Sequence, residues 1–304
     1  MVLNNCIGVT GASGLLGRHV IAFFLKKNFK VIATSRKRPA LYHKNLIWRK
    51  LDLNEKINFN IVNKIYSNAF CLIHIGACVP YSGEKIIYKY VKSTNIDSSL
   101  VLAKWSNYEN KHFIYTSGAA LYKDKFKKNS ESSKLLKFSE NIYINSKIVS
   151  EKKIFNLKKK GLKLTVLRIS SLYGWGLNSK KLISKIIQKA KKEKSIFIFN
   201  LNQTIVNLIH AKDVAEGIYT IANRLKYGIY NLGSNKCTNL FQLAKIIVKL
   251  LKSKSKIVLK EDKKFKKALN PLNVNIMKAK KNLKWKPKLS LEEGIKLTVK
   301  EKCY

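Results

Sequence analysis

Apolar residues in the first two thirds of the chain fall into short runs separated by longer stretches of helical period. Runs at 6–10, 30–34, 71–75, 112–116 and 164–169 have the length and composition of strands. Between them, 15–26, 95–106 and 143–158 carry amphipathic patterns that predict helices with one covered face. Strand alternating with helix predicts an α/β fold, a doubly wound parallel sheet covered on both sides. Beyond Gly174 the pattern turns irregular and lysine-rich, then recovers a strand at 228–232 and a helix at 240–251. In the tail, 282–298, a Trp285-Lys286-Pro287 turn precedes Leu291-Glu292-Glu293-Gly294, which reads as a short closing helix. Internal repeats are absent. This change of regime predicts a main domain, 1–172 plus 203–233, and a smaller lobe, 173–202 plus 234–304.

The first predicted strand runs into Thr10-Gly11-Ala12-Ser13-Gly14-Leu15-Leu16-Gly17, a G-x-x-G-x-x-G loop that opens a helix. Gly11 permits a tight turn, Gly14 lets main chain approach a pyrophosphate, and Gly17 lets helix and strand pack closely. The helix N-terminus favours the anion. Strand before and helix after are the context that separates such a loop from a plain turn. The dinucleotide is expected along Gly11, Ser13, Gly14, Leu15 and Gly17.

Eighteen residues beyond Gly17, where an NAD site carries an acid for the adenosine ribose, stand Ser35 and Arg36, followed by Lys37 and Arg38. A carboxylate there repels a 2′-phosphate, whereas a hydroxyl and a guanidinium attract one. The expected cofactor is therefore NADP in preference to NAD. Arginine is scarce elsewhere, so two of the chain's six in this one turn strengthen the reading.

Tyr143-Ile144-Asn145-Ser146-Lys147 places a phenol and an ammonium four residues apart, on one face of the predicted helix. A phenol of ordinary pKa near 10 is a poor base at neutral pH, and a neighbouring cation favours its ionised form. Tyr122 and Tyr173 have no lysine four residues on. A lysine-rich chain produces the spacing by chance, so its weight comes from its place downstream of the glycine loop.

Composition changes this picture only at the margins. At 46% hydrophobic the chain is an ordinary globular protein. No apolar run is long enough for a membrane span, and the glycine loop begins too early for a signal peptide. The five cysteines, Cys6, Cys71, Cys78, Cys237 and Cys303, show neither metal-ligand nor disulfide spacing, and a cytoplasmic protein is expected. The net charge of +44 invites a nucleic-acid reading. Lysine supplies 55 of the 61 basic residues, however, and they are spread along the whole chain. Specific recognition of nucleic acid draws on arginine's planar fork, so a lysine-coated, solvated surface is the expected state.

Read together, these motifs resemble the extended short-chain dehydrogenase/reductase family, of NAD(P)-dependent epimerase/dehydratase type. The resemblance extends over almost the whole chain. It includes Val31 to Ser35, Ile73-His74-Ile75-Gly76-Ala77, Asn95-Ile96-Asp97, and Ile114-Tyr115-Thr116-Ser117 with Tyr122. It continues through Leu167-Arg168 with Tyr173-Gly174, His210 to Ala215, Tyr230-Asn231-Leu232-Gly233 and Leu283 to Pro287. The resemblance implies a Rossmann-like fold and hydride transfer on a sugar nucleotide, with Tyr143 and Lys147 catalytic. It adds Asp52 and Leu53 at the adenine, Ile75, Gly76 and Ala77 beside the cofactor, and the helix asparagine Asn95. A homodimer through helices near 95–106 and 143–158 is also implied.

Four positions depart from the family pattern. The catalytic Ser or Thr belongs four residues before Tyr122, where this chain has Gly118, and Ser117 is the expected substitute. The arginine that grips the nucleotide diphosphate is replaced by Val206, and a Pro and an Asn by Ile169 and Ser171. His74 and His210 are expected to be packed rather than catalytic. Rival readings are an NADPH-dependent reductase of a keto-sugar nucleotide or other carbonyl, a non-catalytic NADP-binding sensor or scaffold, and a nucleic-acid-binding protein.

Overall fold

The computed structural model describes residues 5–80, 87–200, 205–261 and 271–300. The lysine run at 263–267 and Cys303 lie outside them. Seven parallel strands form the central sheet: β1 (Cys6–Thr10), β2 (Lys30–Ser35), β3 (Leu46–Lys50), β4 (Cys71–His74), β5 (His112–Gly118), β6 (Leu164–Ile169) and the strand Gly228–Leu232. In space the order is 228–232, β6, β5, β4, β1, β2, β3. Strand order therefore reverses between β1 and β4, and the crevice outside their carboxyl ends is the natural ligand position of such a sheet.

Alternation along each strand divides the core between two faces. Ile7, Val9, Val31, Ala33, Ile73, Ile114 and Leu167 pack under α1 (Leu15–Lys26) and the helix Ala211–Asn223. Cys6, Ile32, Leu72, Phe113, Tyr115 and Val166 point the other way. They meet α2 (Phe59–Tyr66), α4 (Ser98–Tyr108) and α5 (Ile142–Lys158), with Trp105 and Tyr66 wholly buried among them. Both faces are covered, which is why the strands read as nearly continuous apolar runs. A short helix, α3 (Tyr88–Lys92), precedes a π-helical turn, Ser93–Asp97, that leads into α4. A third apolar cluster lies outside the sheet. It joins the helices Leu182–Lys191, Leu240–Leu250 and Leu291–Lys300 to the strands Ile196–Phe199 and Ile205–Val206.

The predicted sheet and major helices stand, with ends shifted by one to three residues. Missing from the sequence reading were β3, half-exposed at the sheet edge, α2, and the helices Leu182–Lys191 and Ala211–Asn223. Cys6 and Cys71 are buried, in keeping with their apolar surroundings, and Cys78 and Cys237 are half-buried. Among the described residues, no helix is long and apolar enough to cross a membrane, and no cluster of side chains could hold a metal ion.

Candidate active site

β1 delivers the chain into the glycine loop at the crevice, and α1 leaves from it. Gly11 has φ +70°, in the left-handed region, and a Cβ there would stand 2.7 Å from the main chain of Gly76. At Gly17 a Cβ would run into the Gly11 carbonyl oxygen, so the helix approaches the strand only without a side chain. The Ala12 N–H donates to the Thr34 carbonyl and the Gly14 N–H to the Gly11 carbonyl, each at 3.0 Å. Gly14 caps α1 with no side-chain hydrogen bond, and the first turn holds no acid. The half-buried Ser13 and Leu15 flank an exposed Gly14. Main-chain N–H groups and the positive end of the helix dipole thus face the crevice, an arrangement that fits a pyrophosphate.

At the adjoining edge, Leu53 is buried and its side chain lies against Gly76. Thr10 Oγ1 accepts the N–H groups of Ile75 and Gly76, both at 3.1 Å, and holds the turn through Ala77 beside the loop. Asp52 accepts the Asn54 N–H at 2.9 Å, a local turn that leaves it half-buried.

Ser35 is buried and its hydroxyl is committed. It donates to the Lys37 carbonyl at 2.6 Å and accepts from Trp48 Nε1 at 3.1 Å. Arg36 is exposed and donates to the Tyr90 hydroxyl at 2.7 Å. Arg38 lies over the Tyr42 ring. The turn is basic as the sequence indicates, but its first two residues point away from one another.

Tyr143 and Lys147 share a face of α5, and Glu151 one turn further extends it. Tyr143 is half-buried, and desolvation pushes its phenol up to about 12. The ammonium of Lys147 is buried, which lowers its pKa to about 8 against the opposing pull of Glu151. It donates to the Thr116 carbonyl at 3.0 Å and sits 4.6 Å from the centre of the Tyr115 ring. Desolvation is the cause of the shift at Tyr143, while Lys147 is held by the Thr116 carbonyl. Tyr88 and Lys92 have the same four-residue spacing, so spacing alone does not single out Tyr143. Those two are distinguished by surroundings: Tyr88 is exposed and Lys92 pairs with Asp97 at 2.9 Å.

Ser117 faces α5. Its hydroxyl donates to Glu151 Oε2 at 2.7 Å, and Glu151 is paired with Arg168, both carboxylate and guanidinium being almost wholly buried. Arg168 continues to the Tyr122 hydroxyl and the Glu131 carbonyl, and Tyr122 donates to Asn231. At Gly118 an added Cβ would meet only the Ala120 nitrogen, at 3.9 Å, so the place that the resemblance gives to the catalytic hydroxyl is open.

Asn95 ties these parts together from the π-helical turn. Its side chain accepts the Cys78 N–H at 2.7 Å and donates to the Cys78 carbonyl and to Ser146 on α5, whose hydroxyl donates to the Tyr143 carbonyl. Thr10 Oγ1, already accepting two N–H groups, has its proton for His74 Nδ1 at 2.7 Å, so His74 Nε2 carries a hydrogen and donates to Ser99. Burial pushes the pKa of His74 down to about 3 and fixes it neutral. His210 is also packed, its Nδ1 capping the helix Ala211–Asn223 by accepting the Lys212 N–H.

On the substrate side Val206 is buried within the third apolar cluster. The sequence reading also passed over Arg18, which donates to the Ser13 carbonyl at 2.7 Å and the Gly14 carbonyl at 3.3 Å, and stacks on Trp175. Glu151 had a legible signal, the third member of a Tyr143, Lys147, Glu151 helical face. Trp48 and Tyr90 had none, because they meet Ser35 and Arg36 through tertiary packing, whereas Arg18 directly follows the loop and bonds to it locally.

A parallel sheet with a glycine loop at its reversal point, and a helix bearing a half-buried tyrosine and a buried lysine one turn apart, defines a dinucleotide-dependent enzyme class. The profile of the NAD dependent epimerase/dehydratase family matches residues 7–233, and the chain belongs to that family. It is 28% identical to a putative UDP-glucose 4-epimerase of Methanocaldococcus jannaschii, with 96% of each chain covered. It is 26% identical to the UDP-glucuronate 4-epimerase of Thermodesulfobacterium geofontis, over 96% of this chain and 94% of that one. Among solved structures it resembles the UDP-glucose 4-epimerase of Thermotoga maritima with UDP-glucose, at a TM-score of 0.82, 23% identity and 97% of each chain. A further likeness is to the UDP-glucuronic acid 4-epimerase of Bacillus cereus in complex with NAD, with TM-score 0.81, 18% identity and 96% of each chain.

Proposed function

We propose that the chain interconverts or modifies a sugar nucleotide by Tyr143- and Lys147-assisted hydride transfer, with NADP preferred over NAD. The observation that supports this reading is the buried ammonium of Lys147, one turn along α5 from Tyr143 and bonded to the Thr116 carbonyl of β5. The nicotinamide supplies a carbon that accepts or returns hydride. Tyr143 exchanges the proton of the substrate hydroxyl, and Lys147 orients the nicotinamide ribose and stabilises the phenolate as the proton leaves. Asn95, Ser146 and His74 hold α5 and the Ile75–Gly76–Ala77 turn in register. The relatives' named substrates, UDP-glucose and UDP-glucuronate, support a uridine-diphosphate sugar. With Val206 in apolar packing, the diphosphate needs a cation from elsewhere than the family's arginine position. The division into a cofactor domain, 1–172 plus 203–233, and a substrate lobe, 173–202 plus 234–304, goes with this reading, as do a cytoplasmic location and a homodimer through α4 and α5.

The test is titration of NADPH and NADH against nicotinamide fluorescence, followed by incubation of the loaded protein with UDP-sugars and 4-keto-sugar nucleotides. Epimer formation without net oxidation supports an epimerase, and stoichiometric loss of NADPH supports the reductase alternative. Tyr143→Phe is expected to keep cofactor binding and to lower turnover by about 10²–10⁴-fold. Binding of both cofactors with no turnover on any of these substrates would leave the sensor reading in place.

A further inference from the structure

A buried ammonium has to be compensated where it stands, or it gives up its proton. Lys147 is 3% exposed, and desolvation lowers its pKa to about 8. Among the described residues no carboxylate comes within ion-pair reach of it. Glu151, one turn along α5, has its two oxygens taken by Ser117 and by Arg168, whose guanidinium offsets the charge. The Thr116 carbonyl, at 3.0 Å, accepts one of the three N–H groups of the ammonium.

The other contact is the ring of Tyr115, whose centre is 4.6 Å from Lys147 Nζ. The negative face of an aromatic ring attracts a cation, most strongly where water is excluded. Tyr115 is wholly buried on β5, with the rings of His74 at 5.9 Å and Phe113 at 6.5 Å, centre to centre. The titratable groups around the lysine are placed far from neutrality. Tyr143 on α5 is pushed up to about 12, burial pushes the Tyr115 phenol up, and His74 on β4 is pushed down to about 3. Arg168 on β6 stays protonated throughout, paired with Glu151.

We propose that the face of Tyr115 keeps Lys147 an ammonium, which makes Tyr115 a positioning residue of the hydride-transfer site, acting through that lysine. The inference rests on the reading of Lys147 as the group that orients the nicotinamide ribose. A carboxylate in place of the ring would also hold the charge, but it would compete with the ribose for the same N–H groups. The ring holds the charge and leaves donors over for the cofactor.

Phenylalanine at position 115 keeps the face, and fluorines on its ring withdraw charge from that face with little change of shape. NADPH and NADH are titrated by nicotinamide fluorescence between about pH 6 and 10. The proteins are the full-length wild type, Tyr115→Phe, the same variant with one or five ring fluorines, Tyr115→Leu and Lys147→Met. Wild-type affinity is expected to fall about tenfold as pH rises through about 8, where the lysine loses its proton. Lys147→Met should show no step there. Tyr115→Phe should keep the midpoint, the fluorinated forms should lower it in order, and Tyr115→Leu should lower it by about one pH unit. A midpoint that stays put across the fluorinated series would overturn the proposal while the lysine's role stands. So would a Tyr115→Phe protein shifted as far as Tyr115→Leu. The fluorinated series keeps the core filled, so it decides the matter even where Tyr115→Leu fails to fold. A step that survives in Lys147→Met would overturn the ribose contact, and binding of neither cofactor would overturn the dinucleotide reading, each taking this inference with it.

Discussion

Ser117 and Gly118 differ by one position along β5, and that step reverses what each can do. Alternation turns the Ser117 hydroxyl into the Glu151–Arg168 pair, leaving at Gly118 a gap with no side chain to bond a reacting oxygen. Ser117→Ala should therefore lower thermal stability, by about 1 kcal/mol for the lost buried hydrogen bond, and leave turnover almost unchanged. Gly118→Ser should raise turnover, by about ten- to a hundredfold, if a hydroxyl there bonds the oxyanion as such donors do elsewhere. A Gly118→Ser protein no faster than wild type on a substrate the wild type converts would show that the site is complete without it. The tyrosine and lysine were legible because i and i+4 share a helical face whatever surrounds them. The committed hydroxyl of Ser35 and the reach of Arg36 to Tyr90 were not, since both depend on partners 13 and 54 residues away.

At the scale of elements, the glycine loop, β1, α1 and the buried strands follow from local pattern, because a parallel strand covered on both faces has no polar interruptions to hide it. β3, with its half-exposed Leu46–Lys50 pattern, lies at the sheet edge and has less apolar surface to declare it. The π-helical turn at Ser93–Asp97 left no trace in the sequence. Its cause is tertiary, the side chain of Asn95 being drawn to Cys78 and Ser146. Between α5 and β6 the Glu151–Arg168 pair is the element-level lock. Glu151→Gln should destabilise the fold by about 3–5 kcal/mol, since it strands a buried guanidinium, and denaturant titration should register the loss. Gly17→Ala should abolish cofactor binding in the fluorescence titration, as its methyl meets the Gly11 carbonyl before α1 can seat.

Over the whole molecule, four buried histidines set the acid limit of the fold. Burial pushes His74, His112 and His210 down to about 3 and His19 to about 4. Unfolded, each takes up a proton near pH 6.5. The unfolded chain thus binds more protons than the folded one between about pH 6.5 and 4, and stability falls as pH drops through that window. Each such histidine contributes a slope of about 1.4 kcal/mol per pH unit. Melting temperature measured from pH 7 to pH 4 should fall steeply, and His112→Asn should flatten the fall by about one proton. A flat profile would mean that these side chains protonate without unfolding. The basic surface acts at the same scale: weak attraction to polyanions is expected to disappear by about 200 mM salt.

The four tryptophans divide by position. Trp105 and Trp285 are sealed in the core, while Trp48 bonds Ser35 at the end of β2 and Trp175 stacks on Arg18, the residue after the glycine loop. Indole emission overlaps the absorption band of reduced nicotinamide, so excitation of these two residues can pass to a seated cofactor and reappear as blue light. The chain carries, without any label, an optical gauge of its own occupancy.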